Sequence, residues 1–188
     1  PWLLDRRLRF SLSGYSTVRD NDEYDEEHTG GEVSLTNRLQ IHPGLPFLSL
    51  IDGTWRQQFG YRLENIKITE LDDDVDAILR NEEGDYTASV FTYGLSKDTR
   101  NHFMSPTRGS RHAVSLEMGS EALGSYRDVY KLKLSSSNYT TFKRTGPFGT
   151  TVLKLEGNIG VVEGINEDDP AIFDRFFAGG QSTFRGFD

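Results

Sequence analysis

The side chains equipped for chemistry in this chain are a few carboxylates, four histidines and an arginine near the end. Asp5, Asp52, Glu64 and Glu117 fall in segments that read as strands, so they could meet on one wall. General acid–base catalysis needs such groups beside a nucleophile or an activated water, and no motif puts one next to them. There is no G-x-S-x-G elbow, no H-E-x-x-H and no phosphate-cradling glycine loop. His28, His42, His102 and His112 are scattered without metal-ligand spacing and read as ordinary strand-end or loop residues. Asp72-Asp-Asp-Val-Asp76 lacks the spacing, central glycine and distal glutamate of a calcium loop and reads as solvated charge. The expectation is no enzyme activity, no cofactor and no bound metal.

The elements that carry these groups are strands, because apolar and polar residues alternate with period two. Leu8, Phe10, Leu12 and Gly14 oppose Arg7, Arg9, Ser11 and Ser13. The same pattern recurs at Val33 to Ile41, Ile51 to Leu63, Phe91 to Leu95, Val114 to Met118, Tyr130 to Leu134 and Leu153 to Val161. That makes about seven antiparallel strands. Ile66 and Ile68 break the phase set by Trp55 to Leu63, which calls for either a bulge near Glu64 or a strand that runs past the bilayer. No helix of useful length is expected, beyond one turn within Val75 to Asn81.

Alternation alone does not choose between a soluble sandwich and a membrane barrel, since both have one apolar and one wet face. Connection lengths favour the barrel. Short links at Pro43 to Pro46 and Gly146 to Gly149 alternate with long acidic ones at Arg19 to Gly31, Glu70 to Asp85 and Glu163 to Asp188. Aromatics near strand ends (Trp2, Tyr15, Tyr61, Tyr86, Phe142 and Phe148) fit interfacial girdles.

Composition agrees. Among 188 residues only 35% are hydrophobic and mean hydropathy is −0.56, yet a barrel strand is apolar only on alternate residues. No apolar run approaches the ~20 residues of a membrane helix. Cysteine is absent, which excludes a disulfide framework and thiolate metal sites. The net charge of −8 comes with no basic stripe, so nucleic acid is a disfavoured partner. Pro1-Trp2-Leu3-Leu4 carries no leader signature, which suggests an internal segment of something longer.

Three stretches resemble the BamA-like outer-membrane assembly barrels. Phe59-Gly-Tyr-Arg-Leu-Glu-Asn-Ile-Lys-Ile68 looks like that family's Tyr-Arg-x-Glu-Asn strand. Gly94 to Asn101, followed by Ser105-Pro-Thr-Arg-Gly-Ser-Arg111, is similar to its periplasmic hairpin, with Pro106, Thr107, Gly109 and Arg111 as the defining residues. In that hairpin Pro106 fixes φ, Gly109 can take positive φ, and the hydroxyls of Thr107 and Ser110 can satisfy turn amides. The final stretch, Phe173 to Asp188, looks like the family's sixth extracellular loop, ending in Phe184-Arg185-Gly186-Phe187 after Gly179-Gly180. TamA-like translocation barrels and two-partner secretion transporters share parts of this pattern.

The resemblance implies an all-β antiparallel barrel of about sixteen strands. This chain supplies its middle, from near the fifth strand into the sixth loop. Residues 1–162 would be transmembrane strands and their connections, and 163–188 the start of a loop folded into the lumen. Arg185 would dock on the inner wall through its planar donor fork. Gly179, Gly180 and Gly186 would allow close approach, and Phe184 and Phe187 would be apolar anchors. The implied function is insertion and folding of nascent β-barrel proteins in the outer membrane of a Gram-negative bacterium. Implied partners are unfolded client barrels, the bilayer with lipopolysaccharide, accessory lipoproteins, and the remaining strands and POTRA domains. A TamA-like barrel, a secretion or passive pore, and a soluble β-sandwich binding module remain as alternatives.

Overall fold

In a computed structural model the chain is described over residues 8–20, 24–39, 55–69, 80, 83–143, 150–165 and 170–176. The described residues form seven strands: β1 (Leu8–Asp20), β2 (Asp25–Arg38), β3 (Trp55–Thr69), β4 (Gly84–Asp98), β5 (Gly109–Gly119), β6 (Val129–Lys143) and β7 (Thr150–Gly164). They lie in one sheet in sequence order, each antiparallel to the next. Strand lengths of 11 to 15 residues match or exceed the ~9–11 that a tilted strand needs to cross a bilayer. No helix among the described residues is long and apolar enough to cross a membrane. The sheet is open, with β1 and β7 as its edges.

Register turns the sequence alternation into two faces. Phe10, Leu35, Phe59, Tyr93, Leu116, Leu132 and Val161 are cross-strand partners in a single row through all seven strands. Leu12, Val33, Tyr61, Phe91 and Met118 form the row beside it. These side chains lack a covering layer among the described residues: Leu12 is 76% exposed and Phe10 52%. The opposite face is concave and bounds a space of about 520 Å³. Seven consecutive strands with one uncovered apolar face and one polar concave face make a barrel wall, not half of a sandwich.

The phase break at Ile66 and Ile68 has a plain cause. β3 pairs with β2 and β4 residue for residue through this region, without a bulge. The two isoleucines therefore stay on the concave side with Glu64, where they are 2% and 0% exposed. Ile66 packs with Ala88 and Val90, and Tyr86, Tyr126 and Phe173 close over this cluster. The inner wall is thus polar in its middle and apolar at one end.

Two expected loops are shorter than the acidic composition suggested. Asp25 to Gly31 belongs to β2, with Gly30 opposite Tyr15 and Gly31 opposite Gly14. Asp85 lies within β4, facing Lys67 across the ladder. Self-repulsion disfavours an isolated acidic strand, but here the charges meet opposite partners: Glu26 bonds His28, and Asp85 has Lys67 beside it. The girdle assignment also needs correction. Tyr15 and Tyr86 point into the concave side, each with a specific partner, whereas Tyr61 and Phe142 lie on the outer face. Trp2 and Phe148 lie outside the described residues.

Candidate functional site

The concave wall has two parts, a band of paired charges and the apolar seat beside it. Glu64, only 4% exposed, is the hub of the charge band. The Tyr15 hydroxyl donates to its Oε2 at 2.7 Å, His28 Nδ1 lies 3.3 Å from the same oxygen, and Arg62 Nη1 donates to Oε1. On the far side of His28, Nε2 is 2.6 Å from Glu26 Oε1. Arg62 also reaches across β4, its Nη2 3.8 Å from Glu117 Oε2, and Lys133 Nζ donates to Glu117 Oε1 at 2.5 Å. The band so runs from β1 to β6 with alternating sign. Charges on a partly desolvated wall need such partners, because an unpaired one would keep its full desolvation cost.

Glycine makes the hub possible. Gly30 sits between Tyr15 and Glu64 in the register, and a Cβ there would lie 2.5 Å from Glu64 Cβ. With no side chain at Gly30, the Tyr15 side chain reaches across β2 to the carboxylate on β3. Gly160 on β7 plays a similar part, since a Cβ would meet the Phe176 ring at 2.5 Å.

Residues 170–176 lie over the apolar end of the wall. Phe173 joins Tyr86 and Tyr126 in a ring cluster, and Asp174 accepts from the Tyr126 hydroxyl and sits 3.3 Å from Lys131 Nζ. Arg175 Nε donates to the Pro170 carbonyl at 3.1 Å.

Outside the concavity, the β4–β5 hairpin is tied by side chains. Asn101 Oδ1 accepts from the Thr107 and Arg108 amides at 3.0 and 3.1 Å, and its Nδ2 donates to Thr107 Oγ1 at 2.8 Å. Thr99 Oγ1 accepts from the Ser110 amide at 3.0 Å. Gly109 has φ of +99°, a conformation that suits glycine, and its backbone presses against Thr99 and Arg100. The Thr141 hydroxyl on β6 donates to the Thr107 carbonyl at 2.6 Å. The turn amides are therefore satisfied by Asn101 and Thr99 rather than by the hydroxyls of Thr107 and Ser110. Pro106 is half-buried in the turn and Arg111 is exposed, opposite Asp98 on β4.

Of the strand carboxylates, Glu64 and Glu117 do share the wall, joined through Arg62. Asp5, Asp52, His42 and Asp72 to Asp76 lie outside the described residues, as do Gly179, Gly180, Phe184, Arg185, Gly186 and Phe187. His28 is not the ordinary residue its sequence context suggested, because it bridges two carboxylates. Its i, i+2 spacing from Glu26 on one strand was the available signal. Tyr126 and Asp174 were missed outright, since both sit in connections where no periodicity applies. Among the described residues no group of three or more acidic or imidazole side chains could hold a metal ion. The arrangement is that of a wall that holds a folded segment against itself.

An antiparallel sheet with an uncovered apolar outside and a charged, segment-bearing inside defines part of a transmembrane β-barrel of the outer-membrane type. The model of the Omp85 superfamily domain matches residues 1–188, and the chain belongs to that superfamily. It is similar to a SAM50-like protein of Schizosaccharomyces pombe, 27% identical over 191 aligned positions that cover 100% of this chain and 37% of the relative. It is equally similar to the outer membrane protein assembly factor BamA of Nitratidesulfovibrio vulgaris, 27% identical over 187 positions, 100% of this chain and 22% of that protein. The chain thus spans well under half the length of the relatives it matches.

Proposed function

We propose that this chain is the central wall of an outer-membrane assembly barrel, which inserts and folds nascent β-barrel proteins without nucleotide or cofactor. The observation that carries the reading is the continuous outer row from Phe10 to Val161, backed by a concave face on which residues 170–176 lie. The named role of the BamA relative supports it. Client strands would pair with an exposed edge of the complete barrel, which satisfies their backbone groups before they meet lipid. Clients, accessory lipoproteins, POTRA domains, lipopolysaccharide and the missing strands are the partners this role requires. A TamA-like translocation barrel or a two-partner secretion pore is the functional alternative on the same scaffold.

In this scheme the loop expected at 163–188, which starts once β7 ends at Gly164, folds into the lumen, and Arg185 pins its tip to the wall with Gly179, Gly180, Phe184, Gly186 and Phe187 shaping the contact. The test is Arg185→Ala in the full-length protein. Loop protection from protease and client insertion should both fall while strand content is unchanged. Unaltered protection and insertion would refute the brace. We place the protein in the outer membrane of a Gram-negative bacterium. The SAM50-like relative favours a second reading, the mitochondrial outer membrane, and fractionation of the source cells decides between them.

A further inference from the structure

Residues 170–176 are held to the wall by contacts that owe nothing to the Arg-Gly-Phe tip. Ala171 is fully buried, at 0% exposure. The Phe173 ring centroid is 5.5 Å from that of Tyr86 and 5.1 Å from that of Tyr126, and the two tyrosines are 5.5 Å apart, edge to face. Ile66, Ala88 and Val90 form the floor beneath them. Asp174 is grasped by the Tyr126 hydroxyl and by Lys131. Phe176 lies on Gly160, with Lys131 Nζ 5.6 Å from its ring centroid. Tyr126 is itself fixed, because its amide donates to the Thr87 carbonyl on β4 at 2.7 Å. The β5–β6 connection thereby presents a ring and a hydroxyl to the segment arriving from β7.

We propose that Tyr86 and Tyr126 form a docking site for the root of the terminal segment, a second anchor that engages Phe173 and Asp174 independently of the Arg185 tip. The proposal rests on the reading of residues 163–188 as a lumen loop. Its physical consequence is a shorter tether. From the end of β7 to Arg185 the chain is about twenty residues long, but from a seated Phe176 it is about nine, which reach at most ~32 Å when extended. Closing the shorter loop costs less entropy, and the tip is held at a higher effective concentration near the wall. The root anchor therefore favours tip docking without touching the tip. The inward turn of Ile66 gains its purpose here, since with Ala88 and Val90 it supplies the floor that the rings need.

The test uses the full-length protein in a bilayer, with Ala171→Cys as reporter and any other cysteines replaced. The buried thiol reacts with a maleimide only when the root lifts, and heat-modifiable gel mobility reports whether the barrel is folded. Phe173→Ala should speed labelling roughly tenfold, and Tyr86→Ala similarly. The double variant should label more slowly than the product of the two single effects predicts, because the two share the Phe173–Tyr86 contact; a full product would overturn that pairing. Arg185→Ala should change the rate by at most about threefold, the coupling that the shortened tether transmits in both directions, and so well short of the Phe173→Ala effect. The proposal is overturned if Phe173→Ala and Tyr86→Ala label at the parent rate, or if Arg185→Ala speeds labelling as much as Phe173→Ala. Should Phe173→Ala fail to fold, Tyr126→Phe and Asp174→Asn keep the packing volume and must still speed labelling; no change in both overturns it as well. Client insertion is scored separately. A protein that labels as expected but inserts no client keeps its root anchor and loses its proposed role.

Discussion

Glu64 receives bonds from three side chains on three strands, and that concentration makes its substitution informative. Glu64→Gln keeps an oxygen for the Tyr15 hydroxyl but removes the charge that faces Arg62 and His28. A buried charge-assisted bond is worth about 1.5–3 kcal/mol, so the folded barrel should lose stability of that order, read as a lower denaturant midpoint. Gly30→Ala attacks the same hub sterically, since its methyl would sit 2.5 Å from Glu64 Cβ. Overpacking of this kind costs about 1–3 kcal/mol. Because both changes break one contact set, their effects should fail to add. If the double variant loses the full sum, Gly30 is not serving the Tyr15–Glu64 contact.

At the scale of elements, the β4–β5 hairpin separates what the sequence disclosed from what it hid. Gly109 was readable, because a Pro-Thr-x-Gly turn needs a residue that tolerates positive φ, and its φ is +99°. Asn101 was not readable as the cap, because its partners Thr107 and Arg108 lie six and seven residues away and only the fold brings them together. Strand existence and facing were legible in the same way: period two survives any tertiary context, so the seven strands were all anticipated. Strand ends were not, since Asp25 to Gly31 becomes a strand only through its neighbours on β1 and β3. The seat under Phe173 was half visible, as an unexplained phase break at Ile66 whose partners are distant in sequence. The hairpin allows a ranked prediction. Gly109→Ala should lower the thermal midpoint of the folded barrel most, through strain and collision with Thr99 and Arg100. Asn101→Ala should follow, leaving two amides without their acceptor at about 1–3 kcal/mol. Pro106→Ala should cost least, at about 0.4–1 kcal/mol. Equal losses for Asn101→Ala and Pro106→Ala would mean that the side-chain cap does not hold the turn.

For the whole molecule, one question governs the rest, namely which medium meets the outer row. A lipid contact explains how Phe10, Leu35, Phe59, Leu116, Leu132 and Val161 can share a face with no covering layer among the described residues, and why the band of paired charges from Glu26 to Lys133 lies on the other side. It also explains why the sheet needs more strands than it has here. The smallest known barrels have about eight, and an open edge in hydrocarbon leaves backbone groups unpaired at several kcal/mol each. A pair of substitutions on one strand puts this to the test in the full-length protein. Leu132 lies on the outer row of β6 and Ser135 on its inner face. In a bilayer, Leu132→Lys should cost about 2–4 kcal/mol near the midplane, whereas Ser135→Lys, facing the wet lumen, should cost little. Denaturant unfolding from vesicles reads both. The asymmetry should shrink in thinner bilayers if Leu132 moves toward the headgroups, a dependence that no soluble packing layer would produce. Equal costs for the two variants, insensitive to bilayer thickness, would mean that the outer row meets protein or water, and the barrel reading would fall with it.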